Sequence, residues 1–205
     1  MLLKMLAAAC AAALTAAASP AQAAQIVQYA DSVIEFSSEY TNGAWSAAQV
    51  LGAPDTFAYG DISTAWAPRA QNGTLEFITV GFNTAVYATG ATIRETYGNG
   101  FVYQVDAVDT FGILHTVWSG TDTSMAGAPV DFALSWAATS YLVNGLKIYT
   151  NTDHDMGAWE EIDAIQLAGS TDPAAVPEPA TLAAMGLGLL ALVAGRRNAG
   201  KRKTM

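Results

Sequence analysis

Two acidic stretches of the sequence carry side chains suited to binding a divalent cation. The stretch GAPDTFAYGD contains Asp55 and Asp61, and WEEIDAIQLAG contains Glu160, Glu161 and Asp163. On an extended strand, Glu161 and Asp163 share one face and Glu160 points to the other. Calcium takes about six to eight oxygen ligands from carboxylates and loop carbonyls, so these residues are candidate ligands. No Asp-x-Asp-x-Asp-Gly spacing occurs, and Asp55 and Asp61 also suit hydrogen bonds within turns.

The sequence offers little for catalysis. It has no Gly-x-Ser-x-Gly, no glycine-rich phosphate-binding loop and no His-Glu-x-x-His. Its two histidines are His115, in ILHTVW, and His154, in the acidic stretch NTDHDMG. We expect His115 to pack in a strand or lie at its rim. Hydrolysis of a glycosidic bond by paired carboxylates is the one enzymatic alternative, with Asp153, Asp155, Glu160 and Glu161 as candidates. We expect that the chain is not an enzyme.

Aromatic residues in loops are candidates for ligand contact. Trp45, Tyr59 and Tyr97 lie in or beside predicted loops, and loops at the end of a sandwich often carry function. Trp66 and Trp159 lie in similar places, but we expect them to fill the core, because aromatic side chains have large apolar surfaces to bury.

Most apolar residues alternate or form short runs between turn residues, which predicts strands. The predicted strands are Ile26–Phe36, Leu75–Phe82, Thr89–Tyr97, Val102–Asp109, Leu114–Trp118, Val130–Trp136, Leu142–Thr150 and Glu161–Leu167. One short helix is predicted at Ser46–Leu51, and the turn Tyr97–Gly100 (YGNG) is predicted to close a hairpin. Arg94 lies mid-strand, and if it is buried it should pair with a carboxylate other than its neighbour Glu95. The pattern predicts an all-β fold, an antiparallel β-sandwich of the jelly-roll type, over residues 25–170.

Both ends of the chain have the composition of targeting segments. Residues 1–24 have a positive residue, Lys4, an alanine-rich apolar run and a small-x-small site, which predicts a secretory signal peptide. Its removal takes Cys10, the chain's one cysteine, so the mature domain has no disulfide. Residues 171–179 form a predicted linker, and residues 196–205 form a basic tail. Residues 180–195 predict an apolar transmembrane helix about 24 Å long, short for a hydrocarbon core of about 30 Å.

The charge of the predicted domain excludes some partners. Between residues 25 and 175 there are three basic and 17 acidic residues, a net charge of −14. Such a charge argues against nucleic acid or anionic lipid as a partner of this part. It is compatible with bound divalent cations or simply with solubility.

The end of the chain, VPEPATLAAMGLGLLALVAGRRNAGKRK, resembles the PEP-CTERM sorting signal of Gram-negative bacteria. Its parts are the motif Pro177-Glu178-Pro179, the apolar run and the basic cluster that begins with Arg196 and Arg197. The resemblance implies recognition by an exosortase, transient residence in the inner membrane, and a setting of exopolysaccharide export and biofilm. A permanent single-span anchor is the alternative.

The stretches YADSVIEFSSEY, WSAAQVLGAPDTFAYGD, AWAP, ATIRETYGNGFVYQVDAVD and WEEIDAIQLAG together resemble the scarf domain of pappalysin metalloproteases. They are also similar to the N-terminal domain of an F-box, leucine-rich-repeat protein. Both imply a discoidin or galactose-binding-like sandwich, in pappalysins an accessory domain separate from the protease. The resemblance also implies a structural calcium where the first loop meets the last strand, with Asp55, Glu161 and Asp163 as its candidate ligands.

The sequence therefore predicts an exported, exosortase-sorted protein of the cell surface or extracellular matrix. Its sandwich is expected to act as a non-enzymatic binding or structural module with exopolysaccharide as a partner. The alternatives are a Ca²⁺-dependent carbohydrate-binding accessory module and a glycan-processing enzyme.

Overall fold

The computed structural model describes residues 24–173, and nearly all regular structure in this range is β-strand. The eight strands are β1 Gln25–Tyr29, β2 Ser32–Phe36, β3 Leu75–Tyr97, β4 Val102–Asp109, β5 Leu114–Ser119, β6 Val130–Ser135, β7 Leu142–Asn151 and β8 Glu161–Ser170. The one helical element of these residues is a 3₁₀ helix, Ala47–Val50.

The long strand β3 belongs to both layers of the sandwich. Its first part, residues 75–81, pairs with β2 and β7, and β7 in turn pairs with β4, which pairs with β5. The pairing with β7 continues past a register shift to Val86 and Tyr87. From there on β3 pairs with β8 and, from Gly90, with β6, and β8 also pairs with β1. All these pairings are antiparallel, which confirms the predicted all-β antiparallel class.

The core lies between the two layers and follows from alternation along the strands. In the second part of β3, Ala91 and Ile93 are buried, whereas Thr92 and Arg94 between and beyond them are partly exposed. Burying one isoleucine or leucine side chain stabilises the fold by about 1.5–3 kcal/mol, so this face dominates the stability. The fully buried isoleucine and leucine residues of the described range are Ile78, Ile93, Leu146, Ile148, Ile162, Ile165 and Leu167.

Two strand boundaries differ from the prediction because pairing partners change within a continuous apolar pattern. The predicted strand Ile26–Phe36 is interrupted at Ala30 and Asp31. There the Ala30 N–H donates to Ile165 of β8 and the Asp31 N–H to Gly81 of β3. Conversely, the predicted strands Leu75–Phe82 and Thr89–Tyr97 are one strand, since the chain stays extended as it passes between layers.

The turn at Tyr97–Gly100 does not close a hairpin, so that prediction was wrong. β4 pairs with β7 and β5 rather than with β3, which makes this connection a crossover between layers. Gly98 has φ +63° and packs against Trp159, whose carbonyl oxygen would lie 2.6 Å from an added Cβ. The predicted helix Ser46–Leu51 is the shorter 3₁₀ helix, and no side-chain hydrogen bond caps it.

The predictions for the chain ends lie outside residues 24–173. These are the signal peptide up to residue 23, the linker beyond residue 173, the helix 180–195, the basic tail and the sorting-motif residues. In the described range, no helix has both the length and the apolar character needed to cross a membrane.

Candidate functional site

The start of β8 places three acidic residues at one end of the sandwich, under the loop of residues 52–62. Glu160, Glu161 and Asp163 are all at most 2% exposed. The Asp163 carboxylate accepts hydrogen bonds from the backbone N–H groups of Asp55, at 3.2 Å, and Thr56, at 3.2 Å. The predicted partners Asp55 and Asp163 therefore do meet, with backbone N–H groups as the donors.

Glu161 forms a second contact with the same loop. Its Oε2 accepts a hydrogen bond from the Ile62 N–H at 3.2 Å, and the Asp61 carboxyl lies within hydrogen-bonding reach. Burial raises the pKa of Glu161 to about 9, and the nearby Asp61 adds to the increase. Burial likewise raises the pKa of Asp163, against the effect of the Thr56 and Asp55 N–H groups. With a pKa of about 9, the Glu161 carboxyl is protonated near neutral pH.

The candidate calcium ligands thus form two carboxyl pairs, Asp55 with Asp163 and Asp61 with Glu161. Within residues 24–173, no group of three or more acidic, histidine or cysteine side chains is arranged to hold a metal ion. The backbone groups that face the Asp163 carboxylate are N–H donors rather than carbonyl oxygens. They stabilise the carboxylate itself and supply no oxygen ligand to a cation. Calcium binding by Asp55, Glu161 and Asp163 stays a prediction for measurement in solution.

Two further buried carboxyl groups lie near this end of the sandwich. Burial raises the pKa of Glu160 to about 8, and the charges of Asp155 and Asp153 add to the increase. Burial and the neighbouring Asp122 raise the pKa of Glu95 to about 9. Sequence reasoning missed the contact between Glu95 and Asp122, because it joins β3 to a loop 27 residues later.

Three aromatic side chains border a small cleft at this end. Tyr40 lies with its ring centroid 5.6 Å from that of Trp45 and 5.6 Å from that of Trp159, edge to face in both cases. With Asp61 and Ala67 they line a cavity of about 50 Å³. We call these five residues the aromatic cleft. Sequence reasoning missed Tyr40, although an aromatic residue just before the turn residues TNG was a usable signal.

Trp45 has an unusual backbone conformation. Its φ of +54° is the one positive value among the non-glycine residues of the described chain. Its backbone is held by hydrogen bonds from the Trp45 N–H to Ser63 and from the Ala67 N–H to Trp45. Such conformations cost about 1–3 kcal/mol and cluster at binding sites, so the fold holds this indole in place at some expense.

The other predicted aromatic contacts fall into different environments. Tyr59 and Tyr97 form a separate edge-to-face pair, 5.4 Å between centroids, and both are half-buried. Trp66 is fully buried and donates its indole N–H to the Ser38 carbonyl, as expected of a core residue. Trp159 was expected in the core but is half-buried and borders the aromatic cleft, because it precedes β8 rather than lying within it.

The histidines and the loop aspartates do not converge on a reaction centre. The His115 Nε2 lies 2.9 Å from the Asp109 Oδ2, and its ring stacks on Tyr141, a packed position at a rim. Asp153 accepts a hydrogen bond from the N–H of the distant Gly73, which joins two loops, and Asp155 accepts one from the Gly157 N–H, as a turn residue does.

Arg94 fulfils its structural prediction. It lies on the outer face of β3 and its Nη1 donates to the Asp131 Oδ1 of β6 at 3.0 Å. The carboxylate is thus not that of its neighbour Glu95, which points into the protein.

Comparison with known structures shows the same fold in proteins of unrelated sequence. A chain in the crystal structure of reduced XRCC1 bound to the DNA polymerase β catalytic domain is 11% identical, with a TM-score of 0.52, covering 71% of this chain and 99% of that one. Allantoicase from Saccharomyces cerevisiae is 12% identical, with a TM-score of 0.50, covering 70% of this chain and 43% of that one. The family 32 carbohydrate-binding module of C. perfringens NanJ, solved with galactose, is 15% identical, with a TM-score of 0.49, covering 70% and 93%.

No curated protein sequence matches the chain. Residues 175–198 match the PEP-CTERM protein-sorting motif, which identifies the chain as an exported protein sorted through the membrane. Residues 18–176 match the model described as Pappalysin-1, SD scarf domain, C-terminal. That match covers most of the sequence, and the chain therefore belongs to the scarf-domain family of pappalysin-1.

Proposed function

We propose that this protein is a non-enzymatic glycan-binding module of the cell surface or extracellular matrix. The signal peptide directs export, and the C-terminal segment holds the chain at the inner membrane until an exosortase sorts it to the exterior. There the sandwich binds the exopolysaccharide that surrounds the cell. The PEP-CTERM motif supports the export route, and the aromatic cleft supports the binding role.

The observation that carries the proposal is the aromatic cleft. Tyr40, Trp45 and Trp159 present rings at right angles, beside the exposed carboxylate of Asp61. Aromatic rings offer flat apolar surfaces to the C–H faces of a sugar, and a carboxylate accepts hydrogen bonds from its hydroxyls. The cleft is too small to enclose a ligand, which suits a module that holds one ring of a long polymer.

The carboxyl geometry argues against glycoside hydrolysis. Asp61 and Glu161, the pair nearest the cleft, lie within hydrogen-bonding reach of each other, and Glu161 is fully buried. Because Glu161 is fully buried, a substrate in the cleft does not reach it, which argues against this pair as the two catalytic carboxyls.

Binding by variants of the full-length chain tests the proposal. The chain is purified in a zwitterionic detergent without a sugar headgroup and titrated against soluble oligosaccharides. We expect Trp45→Ala and Tyr40→Ala each to weaken binding by about tenfold or more, as loss of a binding-site aromatic does.

A tryptophan elsewhere provides the matched control. Trp118 is also half-buried and edge to face with one neighbour, Phe132 at 5.3 Å, but it lies on β5. Trp118→Ala should keep wild-type affinity. Equal loss in all three variants would assign the effect to stability, and binding that no variant changes would exclude the cleft.

A further inference from the structure

A second groove crosses the outer face of the layer made of β1, β8, β3 and β6. It has a volume of about 90 Å³, and its floor is the small side chain of Ala164. Tyr29 and Pro54 form one wall, and the ion pair of Arg94 and Asp131 forms the other. The register places these residues side by side, since Arg94 is paired with Ala164 on one side and with Asp131 on the other.

The ion pair with Asp131 holds the guanidinium of Arg94 in place, but not all of its N–H groups donate a hydrogen bond. Its side chain is 18% exposed and its Nη1 donates to Asp131, while its Nε is buried and reaches no acceptor of the described residues. The enclosed Nε is out of reach of a ligand. The Nη2 group, by contrast, is not buried and forms no hydrogen bond within residues 24–173, so it can donate to a ligand oxygen.

The other walls of the groove carry hydrogen-bonding groups that are free within residues 24–173. Neither the Thr92 hydroxyl, the Gln166 amide nor the Tyr29 hydroxyl forms a hydrogen bond with another of these residues, and all three side chains line the groove. One groove thus brings together a hydroxyl, an amide, a guanidinium–carboxylate pair and an aromatic ring. Such a set matches the alternating hydroxyls and C–H face of a pyranose.

We propose that this groove, formed around Arg94, Asp131, Gln166 and Tyr29, is a second binding site that takes a neutral hexose unit of a polysaccharide. Neutral sugar fits because the Arg94–Asp131 pair carries no net charge and the domain carries a net charge of −14, which repels a polyanion. Adjacent ring hydroxyls accept from Arg94 and donate to Asp131.

The groove and the aromatic cleft share no lining residue. One molecule therefore has two sites for glycan, and it holds two chains together or binds one chain at two points with increased avidity. This inference rests on the proposed function, because it assumes that the exported module meets polysaccharide.

The test uses the full-length chain in the same sugar-free detergent, with Trp45→Ala in the background to remove the aromatic cleft. The probes are neutral gluco-, manno- and galacto-hexaoses and, as the charged comparison, an alginate hexamer. Arg94→Gln and Tyr29→Ala are the groove variants. Lys147→Gln is the matched control, since Lys147 forms a similarly exposed ion pair with Glu35 in the other layer.

We expect the groove variants to lose about tenfold or more of their affinity for a neutral hexaose, and Lys147→Gln to keep it. Equal affinity in Arg94→Gln and Lys147→Gln would overturn the groove while leaving the cleft and the proposed function intact. If the alginate hexamer binds more tightly than every neutral hexaose, the choice of a neutral sugar is overturned. If the wild-type chain binds none of the probes, the proposed function fails together with the groove.

Discussion

Individual buried carboxyl groups have raised pKa values, and Glu95 shows how the protein accommodates one of them. Glu95 has one oxygen bonded to the Gly100 N–H at 2.8 Å and the other close to the Asp122 carboxyl, so a proton between the two carboxyls satisfies both. The sequence predicted Glu160, Glu161 and Asp163 as a functional group but missed their burial, because burial depends on which loop covers the start of β8. It predicted that Asp55 and Asp163 meet, but it did not predict the contact between Asp61 and Glu161.

The raised pKa of Glu95 predicts a pH-dependent stability. Its folded pKa of about 9 lies above the unfolded value near 4.5, so its contribution is complete below about pH 4.5 and is lost as the pH rises toward 9. Glu95→Gln supplies an amide in place of the shared proton. We expect the Glu95→Gln variant to unfold at the same temperature as the wild type at pH 5. At pH 8 we expect its unfolding midpoint to lie several degrees above that of the wild type, since 1 kcal/mol corresponds to about 2–4 °C.

Glu35 provides the control, because it is half exposed and its pKa is lowered by the hydrogen bond and charge of Lys147. Its contribution has the opposite sign: it is present above the unfolded pKa and lost as the pH falls. Glu35→Gln should therefore not stabilise the protein at pH 8. If Glu95→Gln shifts the midpoint equally at pH 5 and pH 8, the shared proton is ruled out.

Calcium binding by individual carboxylates is tested by thermal unfolding of the full-length chain with calcium and with chelator. Occupancy at about 100 times Kd would stabilise the fold by about 2.7 kcal/mol, roughly 5–10 °C in midpoint. If Asp55, Glu161 and Asp163 hold calcium, Asp163→Asn abolishes this shift and Asp153→Asn, in a turn, retains it. An equal midpoint in calcium and chelator would end the calcium hypothesis.

At the scale of elements, β3 organises the molecule, and its course could be predicted only in part. Alternation along residues 75–82 and 89–97 correctly indicated extended chain, and YGNG correctly indicated a turn with positive φ at Gly98 and Gly100. Which strand lies beside β3 depends on contacts between residues far apart in sequence. Local patterns could therefore not show that β3 joins both layers or that β4 pairs with β7.

Two glycines of β3 give a test of backbone packing. A Cβ at Gly90 would lie 2.5 Å from the Leu134 carbonyl oxygen, and a Cβ at Gly81 would lie 2.5 Å from the Ser32 Oγ. Ser32 can rotate away, whereas the backbone of β6 cannot. We expect Gly90→Ala to lower stability by about 1–3 kcal/mol and Gly81→Ala to cost clearly less, as measured by denaturant unfolding. Equal losses of stability in the two variants would mean that the β6 backbone can move away from a Cβ at position 90.

At the scale of the whole molecule, the export route makes a prediction about the C-terminal segment. Deleting residues 176–205 removes the sorting motif, the apolar run and the basic cluster, so the chain should appear free in the medium. Fractionation of cells expressing both forms measures this. A variant with Pro177, Glu178 and Pro179 replaced by alanine keeps the apolar run, so it should stay with the membrane. A truncated chain that remains in the membrane fraction would contradict the anchoring role.

The direction of β8 determines how the module would carry force. The aromatic cleft and Glu161 lie at the start of this strand, and the chain leaves toward the sorting motif from its other end at Ser170, about 30 Å away. A glycan held in the cleft and a cell attached to the tail would pull along the strand. The hydrogen bonds from β8 to β1 and β3 are perpendicular to that direction. A force along β8 therefore acts on all of them at the same time rather than on one after another. If the proposed glycan site is correct, tension between the glycan and the tail therefore acts on β8 as shear.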